Sequence, residues 1–311
     1  MRQLQHLVLE ELGSGGFGTV FKTCLIPSRR VIAVKVLHQA DHDGNEHWEN
    51  SVELAHRGEG TILPRLDHPH IIRSFHSQGW GTPQVEIFMD LMDGTLADLA
   101  WSLGRPSRAL ADFVLCQMLD ALDYLRVLGY VHRDVKPQNI FYSQAPSSRP
   151  QHFTVTDTAT DTDTDTDGAL HLPLLLRHHR FRLGDFGLCD SELAVSALEP
   201  RGSYPYLAPE LVAVAARRRR RRRRRQHGQS HKSDVWALYV TVLWTLDVRG
   251  LRRAMERRFV FGAVLAGEAL DADNGLQHLE WMAQVNPRHR ATAGQMLRVL
   301  GWEEEEEESV E

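Results

Sequence analysis

Apolar residues at strand-like spacing open this chain. Leu7 to Leu12 predicts a strand entering a glycine-rich turn, and Thr19 to Cys24 and Arg30 to Leu37 predict two more. A further strand-like run, Gln84 to Leu91, ends near the turn Asp93-Gly94. Between them His47 to Leu66 predicts a helix. The part up to about residue 92 is therefore expected to be mostly β with one helix.

Beyond it the spacing becomes helical. Ala109 to Leu128 places Leu110, Val114, Leu115, Met118, Leu119, Leu122 and Leu125 at three- and four-residue steps. Val235 to Leu246 is apolar nearly all round, which predicts a buried helix. Ala291 to Leu300 predicts a last amphipathic helix with Thr292 near its start. Ile140 to Tyr142 and Arg180 to Leu183 predict two short strands joined by a long connection.

Three segments break the pattern: 144–179, 217–232 and the tail 303–311. Gln144 to Asp167 is rich in Ser and Pro, then alternates Thr and Asp, with too few apolar groups to offset the entropy of ordering. A gene-model artefact is another reading of this segment. Formal net charge is −5, from 36 basic and 41 acidic residues. Nine of the former are Arg217 to Arg225; six of the latter are Glu303 to Glu308, and five lie between Asp157 and Asp167. Without these runs the balance is 27 against 30, so overall charge says little about partners. For the Arg run a nuclear-import or nucleic-acid patch and an acidic-substrate site compete with a tolerated expansion, which we favour. No RNA-binding motif accompanies it.

Nothing in the sequence has the length of a membrane span or the pattern of a secretory signal. Cys24, Cys116 and Cys189 cannot all pair and match no zinc spacing, so reduced thiols in the cytosol or nucleus are expected.

The candidate chemistry is spread along the chain. Gly13-Ser14-Gly15-Gly16-Phe17-Gly18-Thr19-Val20 fits G-x-G-x-x-G-x-V, whose glycines admit phosphate oxygens close to the backbone. The strand that follows, where a dinucleotide fold needs a helix, disfavours that fold. Ile32-Ala33-Val34-Lys35 sets a lysine on an apolar strand, either as a snorkelling residue or as a phosphate ligand. His132-Arg133-Asp134-Val135-Lys136-Pro137-Gln138-Asn139 puts a carboxylate that can orient a hydroxyl and an oxygen ligand for a hard cation on one loop. Asp185-Phe186-Gly187 adds a second carboxylate, and Ala208-Pro209-Glu210 follows.

In these five motifs, taken in this order, the chain resembles the eukaryotic protein kinases from about Leu7 to about Leu300. The resemblance implies an α+β bilobal fold over 1–302, with a small antiparallel β lobe to about 92 and a larger, mostly helical lobe from about 93. It implies ATP and Mg²⁺ as cofactors and transfer to Ser or Thr hydroxyls of protein substrates, because Lys136 follows Asp134 by two. Asp134 is the implied base, Lys136 a γ-phosphate contact, and Asn139 and Asp185 the metal ligands. Lys35 is implied to contact phosphates and pair with Glu59, with Glu53 as fallback. Gly58 and Gly60 beside Glu59 are poor helix formers. Leu12 to Gly18 would cover the nucleotide, and Val20, Ala33 and Phe141 would sandwich the adenine. Met89 would back the pocket, with Asp90 to Met92 as hinge. These apolar residues also suit ordinary core packing. Asp234 is implied to steady the catalytic loop and Arg290 to pair with Glu210.

Arg133 is implied to receive an activation-loop phosphate from an upstream kinase, with Ser191 and Ser196 as candidate acceptors; plain loop serines are the equal alternative. The rival functions are a pseudokinase scaffold and nucleic-acid binding through the Arg run.

Overall fold

A computed structural model describes residues 3–15, 18–38, 52–144, 179–195, 200–212, 229–257 and 275–302. The Thr-Asp repeat, the Arg run and the acidic tail lie outside them, as do Gly16, Phe17 and Ser196.

Five antiparallel strands form the first sheet: β1 Gln5–Gly15, β2 Gly18–Ile26, β3 Val31–His38, β4 Ser74–Gln78 and β5 Gln84–Met89, in spatial order β1-β2-β3-β5-β4. The period-2 alternation of β3 decides its surroundings. Ala33 and Leu37 join Val85, Ile87 and Met89 in the main core, whereas Ile32, Val34 and Val36 pack with Phe88 in a smaller cluster on the opposite face. Edge strand β1, predicted over Leu7 to Leu12, leaves its Leu7, Val8, Leu9 and Leu12 about half exposed.

The helix expected over 47–66 is described from residue 52, and it is not one regular helix. Residues 52–55 are α-helical, His56–Ile62 is a π-helix and Leu63–Arg65 a 3₁₀ turn. Gly58 and Gly60 lie in the π segment, where such wide turns tend to mark functional sites.

The helical part carries α1 Leu96–Leu103, α2 Arg108–Val127, α3 His231–Thr245, α4 Leu251–Arg257 and α5 Ala293–Leu300. Helix α3 is buried all round and starts a turn earlier than its apolar run, at a Ser230–Ser233 capping box. Helix α5 starts at a Thr292–Gln295 capping box. No helix among the described residues is long and apolar enough to cross a membrane. Arg290 is buried and grips Glu210 with two hydrogen bonds of 2.9 Å.

A smaller sheet, in order β6-β8-β9, positions the site: β6 Gly94–Thr95, β8 Ile140–Gln144 and β9 His179–Leu183. Ile140 pairs with Leu183 at one end and Gln144 with His179 at the other. The 145–178 insertion therefore joins the hairpin about 13 Å, four residue steps, from the end that bears Asn139 and Asp185.

Under β9, buried His70 faces the Phe181 carbonyl with Nδ1 at 3.1 Å. Burial takes its pKa down to about 4, against the pull of that hydrogen bond. Between pH 6.5 and 4 the unfolded chain binds more protons here than the folded protein. The neutral ring thus contributes stability above that window, and the contribution is lost as pH falls through it. His70→Asn, whose amide can donate to the same carbonyl, is expected to remove a slope of up to about 1.4 kcal/mol per pH unit. Denaturant midpoints from pH 4 to 7 read the difference.

Candidate active site

The loop leaving β7 (Tyr130–Val131) is fixed by a carboxylate from the first turn of α3. Asp234 accepts the backbone N–H of His132 at 2.7 Å and of Arg133 at 2.9 Å. Burial raises its pKa to about 7, and these two donors pull it back down. Arg133 sits at φ 72°, a left-handed conformation that costs a non-glycine residue about 1–3 kcal/mol. The Asp234 anchor offsets that cost. Burial lowers His132 to about 4 and keeps it neutral, so its Nε2–H donates to the Gly184 carbonyl at 3.0 Å. One imidazole thus joins this loop to the residue before Asp185.

Asp134 is buried and its carboxylate is surrounded by donors. Oδ1 accepts from the Ser203 backbone N–H at 2.8 Å; Oδ2 accepts from Lys136 Nζ at 2.7 Å and Asn139 Nδ2 at 2.9 Å. Lys136 Nζ also donates to Ser203 Oγ at 2.8 Å. An ionised carboxylate offers about four acceptor positions, so one is left for an incoming hydroxyl. Asn139 spends its amide nitrogen on Asp134, which turns its carbonyl oxygen elsewhere.

Lys35 on β3 holds the second cluster. Its Nζ lies 2.7 Å from Glu59 Oε1 and 2.8 Å from Asp185 Oδ1. Of the two glutamates weighed for Lys35, Glu59 is the one it meets; Glu53 pairs instead with Arg57. Burial works against the Lys35 ammonium, but Asp185 and Glu59 together hold its pKa above the ordinary lysine range. Burial raises the Glu59 carboxyl despite Lys35. Burial pushes Asp185 the same way, and there the cations Lys35 and Lys136 win and hold it low. Asp185 takes a left-handed conformation at φ 57°, a second strained residue. Hairpin β8–β9 places it beside the loop that carries Asp134, since the Gly184 N–H donates to the Asn139 carbonyl at 2.9 Å.

The cleft between the sheet and this loop has the surfaces a nucleotide needs. Val20 pairs with Lys35 and Ala33 with Met89 across the strands, so these four side chains share one face. Ala33 and Met89 belong to the main apolar cluster, and Val20, Met92 and Phe141 pack against it. A Cβ built on Gly13 or Gly15 would meet nothing within 4 Å, so packing does not demand these glycines and their bareness leaves room for a ligand. Gly18 is different: at φ 123° its Cβ would lie 2.3 Å from the Val36 carbonyl oxygen. Leu12 and Ser14 lie on the exposed β1. In the hinge, the Asp90 N–H already donates to the Arg73 carbonyl, and the Asp90 carboxylate is held by Arg30 at 2.8 Å and Arg182 at 3.1 Å. Of the two Asp90 backbone groups, the carbonyl is the one left for a ligand.

The donor set fits Mg²⁺. Lys35 and Lys136 face three carboxylates, Glu59, Asp134 and Asp185, so the cluster lacks one positive charge. Asn139 and Asp185 supply the hard oxygen atoms such a cation prefers.

Sequence reasoning assigned no part in the site's geometry to Gly58, His132, Ser203 or Asp190. Gly58 was legible only as a poor helix former. The Arg133 guanidinium lies 3.6 Å from the Asp190 carboxylate. Ser191 is in strand β10 (Asp190–Ser191), opposite Tyr130.

Comparison with known proteins adds independent evidence. The profile of one family, described as the protein kinase domain, matches residues 7–299. The chain is 26% identical over 300 residues to the serine/threonine-protein kinase DCLK2 of Homo sapiens, covering 92% of this chain and 32% of that protein. It is 23% identical over 298 residues to the probable serine/threonine-protein kinase mkcB of Dictyostelium discoideum, covering 93% and 34%. Over 149 residues, 47% of the chain, it is 32% identical to the serine/threonine-protein kinase dkf-1 of Caenorhabditis elegans, of which that stretch covers 20%. The chain thus spans about a third of the length of the first two.

Proposed function

Because the chain belongs to the protein kinase domain family, we propose that it transfers the γ-phosphate of Mg-ATP to serine or threonine hydroxyls of protein substrates. The observation that carries this reading is the pair of charge clusters, Lys35–Glu59–Asp185 and Asp134–Lys136–Asn139, tied together by the Gly184 N–H bond to the Asn139 carbonyl.

Asp134 orients the attacking hydroxyl through its remaining acceptor position and takes its proton. Lys136, beside it, and Lys35, across the cleft, offer ammonium groups to phosphate oxygens. Asn139 and Asp185 would hold Mg²⁺, which supplies the charge neutralisation that phosphate transfer requires. Val20, Ala33, Met89 and Phe141 give the base an apolar slot, and the hinge gives it a backbone edge. Hydroxyl class rests on Lys136 at its place two residues after Asp134, and on the serine/threonine kinases among the relatives.

Phosphoamino-acid analysis of a generic basic protein labelled by this chain tests the reading. Label on phosphoserine or phosphothreonine is expected, and label on phosphotyrosine overturns the hydroxyl assignment.

A further inference from the structure

Arg133 is a buried cation whose guanidinium, among the described residues, pairs with a carboxylate outside its own loop. Its Nε–H donates to the Leu188 carbonyl, while Nη2 has no hydrogen-bond partner among the described residues. The acid that faces it is Asp190, with Oδ2 3.6 Å from Nη2. That same oxygen lies 3.4 Å from Nη1 of Arg57, two residues before Glu59 on the helical segment that carries it. Asp190 is itself nearly buried, and its position is set twice over. Strand β10 pairs it with Val131, and its Oδ1 accepts the backbone N–H of Ser191 at 2.8 Å.

The geometry points to Asp190 as a positioning residue for phosphate transfer, an inference that rests on the function proposed above. One carboxylate bridges the arginine before Asp134 to the helical segment that presents Glu59 to Lys35. It is the negative charge that an arginine in this place would otherwise take from a phosphate on the loop. The site is thereby assembled without phosphorylation of Ser191 or of any serine further along. Arg57 contributes through Asp190 and Glu53, and being half exposed it can be changed without opening the core. Buried charge pairs report strongly when one member is removed, because the other stays behind uncompensated.

The experiment uses the full chain, freed of phosphate by a phosphatase and confirmed so by mass. Steady-state rates are compared for wild type, Asp190→Asn, Asp190→Glu and Arg57→Gln. Hydrogen exchange of residues 52–65 is followed on the same samples. Unphosphorylated wild type should turn over, and Asp190→Asn should lower kcat about tenfold or more while KM for ATP changes less than threefold. Asp190→Glu should recover most of the loss. Arg57→Gln should resemble Asp190→Asn, and combining the two should add little. Exchange over 52–65 should quicken in both. An unphosphorylated wild type that gains tenfold or more in rate on loop phosphorylation overturns the proposal, as does an Asp190→Asn with normal rate. Were wild type inactive towards every substrate, the function would fail but exchange would still decide: unchanged exchange in Asp190→Asn and Arg57→Gln overturns the bridge.

Discussion

Lys35→Met is expected to lower kcat/KM for ATP by about 10²- to 10³-fold, with the protein still folded. Methionine keeps the unbranched stem on β3 but removes the ammonium. Two losses follow. The phosphate oxygens lose a preorganised charge in a site where water is scarce. Glu59 and Asp185, each within 2.8 Å of Nζ, become two neighbouring carboxylates, the first fully buried, with no cation between them. Burial already raises the Glu59 carboxyl, so it is the group that takes up a proton and releases its hold. Rates across ATP concentration, with a melting curve to confirm folding, check this. A variant within threefold of wild type would remove Lys35 from the chemistry.

Gly58→Ala is the second. Helix propensity alone favours it by about 1 kcal/mol. Packing argues the opposite sign, and its magnitude decides. A Cβ at residue 58 would lie 1.8 Å from the Phe186 carbonyl oxygen and 2.9 Å from its carbon. Both obstacles are backbone, so no rotamer change relieves them. Either the π-helical turn or the Asp185-Phe186-Gly187 segment must move, by more than the Lys35–Glu59 contact at 2.7 Å can tolerate. Activity is expected to fall by tenfold or more, about 1.4 kcal/mol, and the melting temperature to drop. Gly60→Ala is the control. Its Cβ would come within 2.6 Å of the Trp80 ring, a side chain able to shift, so a smaller effect is expected. Equal and mild behaviour of both variants would mean that the close approach of helix and loop carries no function.

How much of this the sequence showed depends on the range of each interaction. Lys35, Asp134, Lys136, Asn139 and Asp185 were legible because each stands in a short motif whose spacing is local chemistry. The strands β2, β3 and β5 were legible from apolar residues at strand spacing. Strand β4 was not, since Ser74-Phe75-His76-Ser77-Gln78 offers one apolar side chain. Helix α1 was missed although Thr95-Leu96-Ala97-Asp98 carries its capping box in plain view, with Thr95 and Asp98 each bonding the other's backbone. The choice between Glu53 and Glu59 stayed open because a π-helical turn shifts which residues share a face, and 3.6-residue periodicity cannot track that. Asp190 had no signal at all: its partners Arg57 and Arg133 lie 133 and 57 residues away in sequence, and only the fold joins them.

The most direct test compares wild type with Asp134→Asn for transfer of γ-labelled phosphate to a generic basic protein, with magnesium, after thermal shift has shown Mg-ATP binding by both. Asparagine keeps the shape of the side chain and removes the charge that accepts the proton. Labelling by wild type and a rate about 10²- to 10⁴-fold lower in the variant is the expected result. Equal labelling by the two, or a wild type that binds Mg-ATP and transfers nothing, would contradict the assignment of this cleft to phosphate transfer.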